Sequence, residues 1–181
     1  CAALVGTLHV IAAWGEHQPE REEWAVAAGW INAGDPRGIE PGRARIVALP
    51  GGERVALFRH GEWGEKLSAV TNVCAHQNGP LGEGRIVDGC VTCPWHGFQF
   101  DPEDGCAPAP FTDKIATYRL RWAKGPESVF DPNDDANAQA FRPREVEIEM
   151  RAQVPGTWLE PLILDGVRRP QAMRTAAREE V

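Results

Sequence analysis

Two short motifs, each pairing a cysteine with a histidine, constrain this chain more than any other feature. The first is Cys74-x-His76, and sixteen residues separate it from the second, Cys93-x-x-His96. Thiolate and imidazole are both ligands that zinc and iron accept. Because the intervening segment is long enough for the chain to turn back, we expect both pairs to converge on one metal centre.

Mixed cysteine and histidine ligation of this kind fits two centres. A set of two Cys and two His holds structural zinc tetrahedrally, but zinc fingers usually place both Cys before both His, whereas each motif here contains one of each. In a [2Fe–2S] cluster, both thiolates can bind one iron and both imidazoles the other. Replacing two thiolates by neutral imidazoles raises the reduction potential of such a cluster.

The residues around the motifs resemble the two boxes of a Rieske [2Fe–2S] domain. Gly79 and Leu81 follow the first motif, and the second reads Cys93-Pro94-Trp95-His96-Gly97. The resemblance extends from about residue 29 to residue 124 and is most specific around the two boxes. Zinc remains the alternative that the ligand types allow.

The resemblance implies a ligand set and a cofactor. Cys74 and Cys93 would hold the inner iron of a [2Fe–2S] cluster, and His76 and His96 would hold the outer iron near the surface. The stretch GCAPAPF, residues 105–111, is similar to the proline-rich loop that covers the cluster in this family. Trp95 lies between two ligands and is expected to have a packing role, with shielding of the cluster or a place on the electron path as the alternative.

Departures from the family's respiratory members point to a low reduction potential. Those members carry an additional disulfide-bonded Cys in each box, where this chain has Gly79 and Trp95. They also place a Ser and a Tyr where this chain has Phe98 and Phe100, and those hydroxyls donate hydrogen bonds to cluster and cysteine sulfur. Fewer hydrogen bonds to sulfur lower the potential. The resemblance is therefore to ferredoxin-type and oxygenase-type Rieske centres.

The composition favours a mainly β fold. The chain of 181 residues contains 19 Gly and 15 Pro, which indicates many turns between short strands. Residues 43–49 and 53–59 flank Pro50-Gly51-Gly52 and predict a β-hairpin. Residues 67–73 and 115–122 predict two further strands.

The resemblance adds the arrangement of these strands. It implies an antiparallel β-sandwich with a small inserted cluster-binding lobe, residues 72–112. Inside this lobe the sequence predicts two short strands that turn near Asp88-Gly89.

Three regions are predicted along the chain. Residues 1–28 form an apolar N-terminal segment ending in a short helix at 20–28, and residues 29–130 form the Rieske domain. Residues 131–181 form a polar and charged C-terminal extension, in which 144–150 alternates like a strand.

No iron site of an oxygenase is evident in the sequence. Catalytic non-haem iron needs two His and a carboxylate. The histidines are His9, His17, His60, His76 and His96. None follows residue 96, whereas an oxygenase of this family carries its catalytic domain after the Rieske domain. His60 lies in a turn-like stretch and is expected at the surface. This chain is therefore not expected to be the terminal oxygenase.

The remaining signals indicate an electron carrier. No glycine-rich dinucleotide fingerprint and no small-molecule substrate site are evident. A net charge of −7 argues against binding to nucleic acid. We expect transfer of one electron between a reductase and an acceptor such as an oxygenase, so the chain is an electron-transfer component rather than an enzyme alone.

A cluster of acidic residues is a candidate surface for the redox partner. Six acids lie between residues 83 and 113: Glu83, Asp88, Asp101, Glu103, Asp104 and Asp113. Only Arg85 offsets them before residue 113, so they form either a solvated face or a docking surface for a basic partner.

Membrane association is the alternative to a free carrier. The first fourteen residues, CAALVGTLHVIAAW, are nearly all apolar, which is too short to span a bilayer but fits the end of a membrane helix. Since the chain begins with Cys1, we expect a processed or longer product. The chain would then be the Rieske module of a membrane-anchored, ferric-reductase-like or respiratory protein at the cytoplasmic face. An odd number of cysteines indicates a reducing, cytoplasmic location, although Cys90 and Cys106 could pair.

Overall fold

A computed structural model of the chain describes residues 29–123 and 145–167, which fold as a mainly β protein. Its strands are β1 (Trp30–Asn32), β2 (Ala44–Ala48), β3 (Arg54–His60), β4 (Lys66–Thr71), β5 (Arg85–Val87), β6 (Cys90–Thr92), β7 (Gln99–Phe100), β8 (Thr117–Tyr118), β9 (Leu120–Trp122), β10 (Val146–Glu149) and β11 (Leu162–Ile163). Two 3₁₀ helices are Pro36–Gly38 and Leu81–Glu83. The strands pair antiparallel in three sheets, which confirms the predicted fold class.

The predicted N-terminal segment, with its short helix at 20–28, lies outside the described residues. In the part of the chain that the structure describes, no helix has the length and apolar character needed to cross a bilayer.

The largest sheet grows from the predicted hairpin. β2 and β3 pair antiparallel, and the Leu49 N–H donates to the Glu53 carbonyl oxygen at 2.8 Å to close the turn at residues 50–52. β4 pairs with the other edge of β3, and both β8 and β11 pair with the far edge of β4. The predicted hairpin and the strand at 67–73 are therefore confirmed.

This sheet is buried on both faces because β3 carries an uninterrupted apolar run. Val55 and Leu57 point to one side and Ala56 and Phe58 to the other, and all four are fully buried. The base core consists of Ala33, Ile39, Leu49, Val55, Leu57, Leu67, Ala69, Tyr118, Val146 and Ile148. The lobe core consists of Ala56, Phe58, Val70, Cys74, Leu81, Val91, Cys93, Phe100 and Ile115. The sheet thus separates an apolar base from a core that contains two thiols.

The segment 115–122, predicted as one strand, is two short strands in different sheets. β8 pairs with β4, whereas β9 pairs with β10. Arg119 lies between them, and its carbonyl oxygen accepts the Glu149 N–H at 2.9 Å. The prediction of one continuous strand is wrong because an alternating pattern shows which faces are buried but does not show which partner each half pairs with.

Residues beyond the predicted domain boundary at 130 complete the base. β10 is the central strand of a three-stranded sheet between β1 and β9, and its Val146 and Ile148 are fully buried in the base core. β11 pairs with β4. The described part of the predicted extension, residues 145–167, is therefore built into both base sheets, and the strand predicted at 144–150 is confirmed.

The cluster lobe contains the third sheet, formed by β5, β6 and β7. Its predicted turn at Asp88-Gly89 is confirmed, with φ of 51° at Asp88 and 81° at Gly89. Two successive positive φ values are typical of the two-residue hairpin turn that favours Asp-Gly. The lobe is thus a small antiparallel unit resting on β3 and β4.

His60 is buried, which corrects the prediction that it lies at the surface. It ends β3 with 5% of its surface exposed, and its Nε2 lies 2.9 Å from the Ser68 Oγ. Burial lowers the pKa of His60 to about 4, against a smaller opposing effect of Glu103. The imidazole is therefore neutral at pH 7 and forms part of the folded interior.

Candidate metal centre

Two turns with the same backbone geometry carry the four predicted ligands. In the first, the Cys74 N–H donates to Gly79 O at 2.9 Å and the Asn78 N–H donates to Cys74 O at 2.8 Å. The second turn has the equivalent bonds around Cys93. The Cys93 N–H donates to Phe98 O at 2.8 Å, and the Gly97 N–H donates to Cys93 O at 3.0 Å. Both turns need a positive φ at the fifth position. The two motifs therefore fold into matched loops.

The two thiols meet inside the lobe core. Cys74 is 1% exposed and Cys93 is 3% exposed, and the two side chains are within hydrogen-bonding contact. Burial raises the pKa of the Cys74 thiol, the Cys93 side chain adds to that rise, and the backbone N–H of His76 opposes it. A thiolate in this position is therefore costly unless a bound cation compensates it, as metal ligation does.

The two imidazoles lie side by side at the exposed tip of the lobe. The ring centroids of His76 and His96 are 5.1 Å apart, with the ring planes at 90°. Both residues are exposed, unlike the two cysteines beneath them. The structure thus separates the donors into a buried sulfur pair and an exposed nitrogen pair.

Gly79 lets the two loops approach each other. A Cβ at this position would lie 2.7 Å from the Cys93 Sγ and 3.2 Å from Cδ2 of Trp95, so a side chain there would force the loops apart. Trp95 is 58% exposed and contacts His96 edge-on at 6.5 Å between centroids. Trp95 therefore does not have the packing role predicted for it, because its loop turns the side chain outward beside the imidazole.

Phe98 is a contact of the site that the sequence did not reveal. Its ring lies parallel to the His76 imidazole, with 5.0 Å between centroids and 8° between planes. It also contacts Phe111 at 5.1 Å, which places the segment 105–111 beside the site. In the sequence, Phe98 was notable only because the respiratory members of the family have a hydroxyl side chain at that position. This difference did not indicate that the ring stacks on a ligand.

The other described cysteines lie outside the thiol pair. Cys90 is on β6 and Cys106 forms an isolated bridge with Lys114, and both are free thiols rather than a disulfide. The alternative that they pair is therefore not realised in this structure. Cys1 lies outside the described residues.

The donors fit a two-iron cluster. A Rieske [2Fe–2S] cluster requires two thiolates at one iron and two imidazoles at the other. The buried pair of Cys74 and Cys93 and the exposed pair of His76 and His96 match that requirement in the type and number of side chains.

Comparisons with known proteins identify the family of the domain that carries these residues. A family model described as the Rieske [2Fe–2S] domain matches residues 29–119. A cholesterol 7-desaturase of Ciona intestinalis is 37% identical over 92 residues, which are 50% of this chain and 19% of that protein. The ferredoxin subunit of anthranilate 1,2-dioxygenase from Burkholderia cepacia is 35% identical over 82 residues, covering 45% of this chain and 73% of the subunit.

A solved structure shows the same fold. The small subunit described for an NADH-dependent nitrite reductase of Mycobacterium tuberculosis aligns with a TM-score of 0.50 at 23% identity, over 69% of this chain and 95% of that chain. The present chain spans only 19% and 20% of the cholesterol 7-desaturases of Ciona intestinalis and Xenopus laevis. With the family model matched across the described domain, this chain belongs to the Rieske [2Fe–2S] domain family, whose cofactor is a [2Fe–2S] cluster.

Proposed function

We propose that this chain is a one-electron carrier whose [2Fe–2S] cluster is held by Cys74, His76, Cys93 and His96. The observation that carries the proposal is the pairing of two buried thiols with two exposed imidazoles on matched loops. When bound, the cluster supplies a centre that accepts and returns one electron.

The residues around the site suit such a centre in two ways. The buried pair, Cys74 and Cys93, excludes water from one side. The exposed pair, His76 and His96, gives a partner its shortest approach at the tip. Electrons would therefore enter and leave through the imidazole side of the lobe.

The side chains after the second motif favour a low reduction potential. Phe98 and Phe100 carry no hydroxyl, and Phe100 is fully buried in the lobe core. Neither side chain can donate a hydrogen bond to a sulfur atom, so each leaves more electron density there. We therefore place the midpoint near the low end of the Rieske range, about −150 mV.

The proposed partners are a reductase that donates the electron and an acceptor such as an oxygenase. Similarity to a ferredoxin subunit of a dioxygenase, 73% of which is matched, supports this pairing. The three segments that contain the predicted ligands and the nearby Phe111, residues 74–82, 91–100 and 105–112, contain no Asp, Glu, Lys or Arg. Trp95 and Phe111 are exposed there. A partner face that is apolar rather than strongly basic fits this tip best.

Three of the six acids between residues 83 and 113 make contacts within the folded protein. Asp101 Oδ1 accepts the Glu103 N–H at 2.7 Å, and Asp104 Oδ1 accepts the Cys106 N–H at 2.7 Å. The Glu103 carboxylate pairs with Lys66 Nζ at 2.8 Å. These contacts favour a structural role for the three acids over the docking role considered from sequence.

A second candidate is the Rieske module of a membrane-anchored redox protein. The nearly continuous apolar run in residues 1–14 supports it, since a free carrier has no evident use for such a segment. The site and its chemistry are the same in both proposals. They differ in location, which is cytoplasmic in the first and at the cytoplasmic face of a membrane in the second. Partition of the native protein between membrane and cytosolic fractions distinguishes them.

The proposal is tested on purified protein by absorption, electron paramagnetic resonance and a potentiometric titration. We expect a Rieske-type signal with a midpoint of about −150 mV. Cys93→Ser should abolish the signal, because it removes one inner thiolate. Cys106→Ser is the matched control and should retain the signal, since Cys106 lies outside the thiol pair. A colourless zinc protein, or a fully loaded Cys93→Ser variant, would refute the ligand assignment, and a strongly positive midpoint would refute the low-potential prediction.

A further inference from the structure

The two imidazoles of the site have different surroundings. The His76 ring is stacked face to face by Phe98, at 5.0 Å and 8°. His96 is met edge-on by His76 at 5.1 Å and by Trp95 at 6.5 Å. Among the ring contacts of the described residues, a near-parallel aromatic ring lies against His76 and not against His96.

Phe98 is itself held on several sides. Its ring contacts Phe100 at 5.6 Å and Phe111 at 5.1 Å, with tilted planes in both cases. Its carbonyl oxygen accepts the Cys93 N–H at 2.8 Å, which ties its backbone to the second loop. Phe98 also packs against the lobe core. A side chain fixed in this way can restrain whatever is stacked on it.

We infer that Phe98 is a positioning residue that fixes the ring plane of His76, and that Phe111 acts on His76 through Phe98. The inference rests on the proposed function, because it takes His76 to be a ligand. An imidazole bound through one nitrogen keeps rotational freedom about its bond to the metal, and a parallel ring at van der Waals distance restricts that rotation. The segment 105–111 would then set the geometry of one ligand without touching it.

The stack also crosses between the two loops. Phe98 follows the second motif, whereas His76 belongs to the first. The contact therefore couples the loops on the solvent side, as the two thiols do in the interior. Loss of the Phe98 ring should leave the His96 surroundings in place and alter those of His76.

The test uses the full-length protein carrying its cluster and pulsed electron paramagnetic resonance in the reduced state. This measurement resolves the nitrogen couplings of the two bound imidazoles. In Phe98→Leu we expect one of the two couplings to shift or broaden at least twofold, with the other unchanged. Phe98→Tyr, which keeps a ring able to stack, should restore both couplings. Identical couplings in the wild type and Phe98→Leu would overturn the inference.

A matched variant separates positioning from general loosening of the lobe. Val70→Ala shortens a fully buried side chain of the lobe core that lies on β4 and makes none of the ring contacts of Phe98, so it should lower the melting temperature and leave both couplings in place. Equal broadening in Val70→Ala and Phe98→Leu would overturn the inference. Phe111→Leu should broaden the same coupling as Phe98→Leu, to a smaller extent.

Failure of the underlying function gives a different result. If the wild-type spectrum shows no bound imidazole nitrogen, the ligand assignment fails and the inference fails with it. If two nitrogens are seen but neither responds to Phe98→Leu, only the role of Phe98 fails.

Discussion

The two cores on either side of the central sheet differ in what stabilises them. The base core is formed by ten buried residues with no cysteine among them, drawn from strands as far apart in sequence as β3 and β10. The lobe core has nine buried residues, and two of them are the thiols of Cys74 and Cys93. The base is therefore stabilised by apolar burial, whereas the lobe contains groups that need a metal to be stable as thiolates.

This contrast indicates how the molecule divides its tasks. β3 and β4 supply side chains to both cores, so the base holds the lobe at a fixed position. Damage in the lobe should remove the cluster and leave the base folded. Damage in the base should lower stability and leave the cluster in place.

The largest effect is expected from Gly79→Ala in the lobe. The added Cβ would lie 2.7 Å from the Cys93 Sγ, so the loops must separate and most of the cluster should be lost. Visible absorption per mole of protein measures the loss, and far-ultraviolet circular dichroism should show that the base sheets remain.

Gly51→Ala is its control, because a Cβ at Gly51 meets nothing within 4 Å, and it should keep full absorption. Normal cluster content in Gly79→Ala would show that the loops can separate without losing their ligands.

Leu57→Ala tests the base with a smaller effect. Leu57 is fully buried in the base core, and truncating such a side chain lowers the free energy of unfolding by about 2–5 kcal/mol. Chemical denaturation measures that loss, and the folded variant should keep its visible absorption. In the control Ile46→Ala, the side chain is 40% exposed and the loss should be about 0.5 kcal/mol. A folded Leu57→Ala protein without its cluster would contradict the division between the cores.

His60→Gln should give the smallest effect, visible only as a change in pH dependence. Burial lowers the pKa of His60 to about 4 in the folded state, below the 6.5 of an unfolded chain. As the pH falls, the unfolded state therefore binds a proton before the folded state does. The stability that comes from keeping His60 neutral is fully present above pH 6.5 and is lost as the pH falls toward 4. Between pH 7 and pH 5 the loss is about 2 kcal/mol.

The measurement compares unfolding free energies of the wild type and His60→Gln at pH 7 and pH 5. Glutamine keeps an amide that can hydrogen-bond Ser68 but does not titrate, so the variant should lose about 2 kcal/mol less over this range. Equal pH dependence in both proteins would show that His60 takes up its proton without unfolding.

Several elements could be predicted because their signals are local. The hairpin around residues 50–52 and the Asp88-Gly89 turn depend on residues that are adjacent in the chain. The four proposed ligands follow from two motifs whose Cys and His are two or three residues apart. Their convergence needed only that the chain turn back between the motifs, and the structure brings both pairs together.

Other features could not be predicted because they depend on distant partners. The pattern in residues 115–122 shows burial but not the change of sheet at Arg119. β10 is recognisable as a strand, but its place between β1 and β9 depends on pairing of Ile148 with Ile31. His60 looks like a turn residue until Ser68 and the sheet surround it.

The family, the four proposed ligands and the short turns that present them can be recognised in contiguous residues of the chain. The side chains that surround these ligands are set by the folded arrangement of distant segments. It buries Cys74 against Cys93, exposes Trp95 and lays Phe98 on His76. The physical reason is that burial and stacking arise between segments that meet only after folding, so no local pattern contains them.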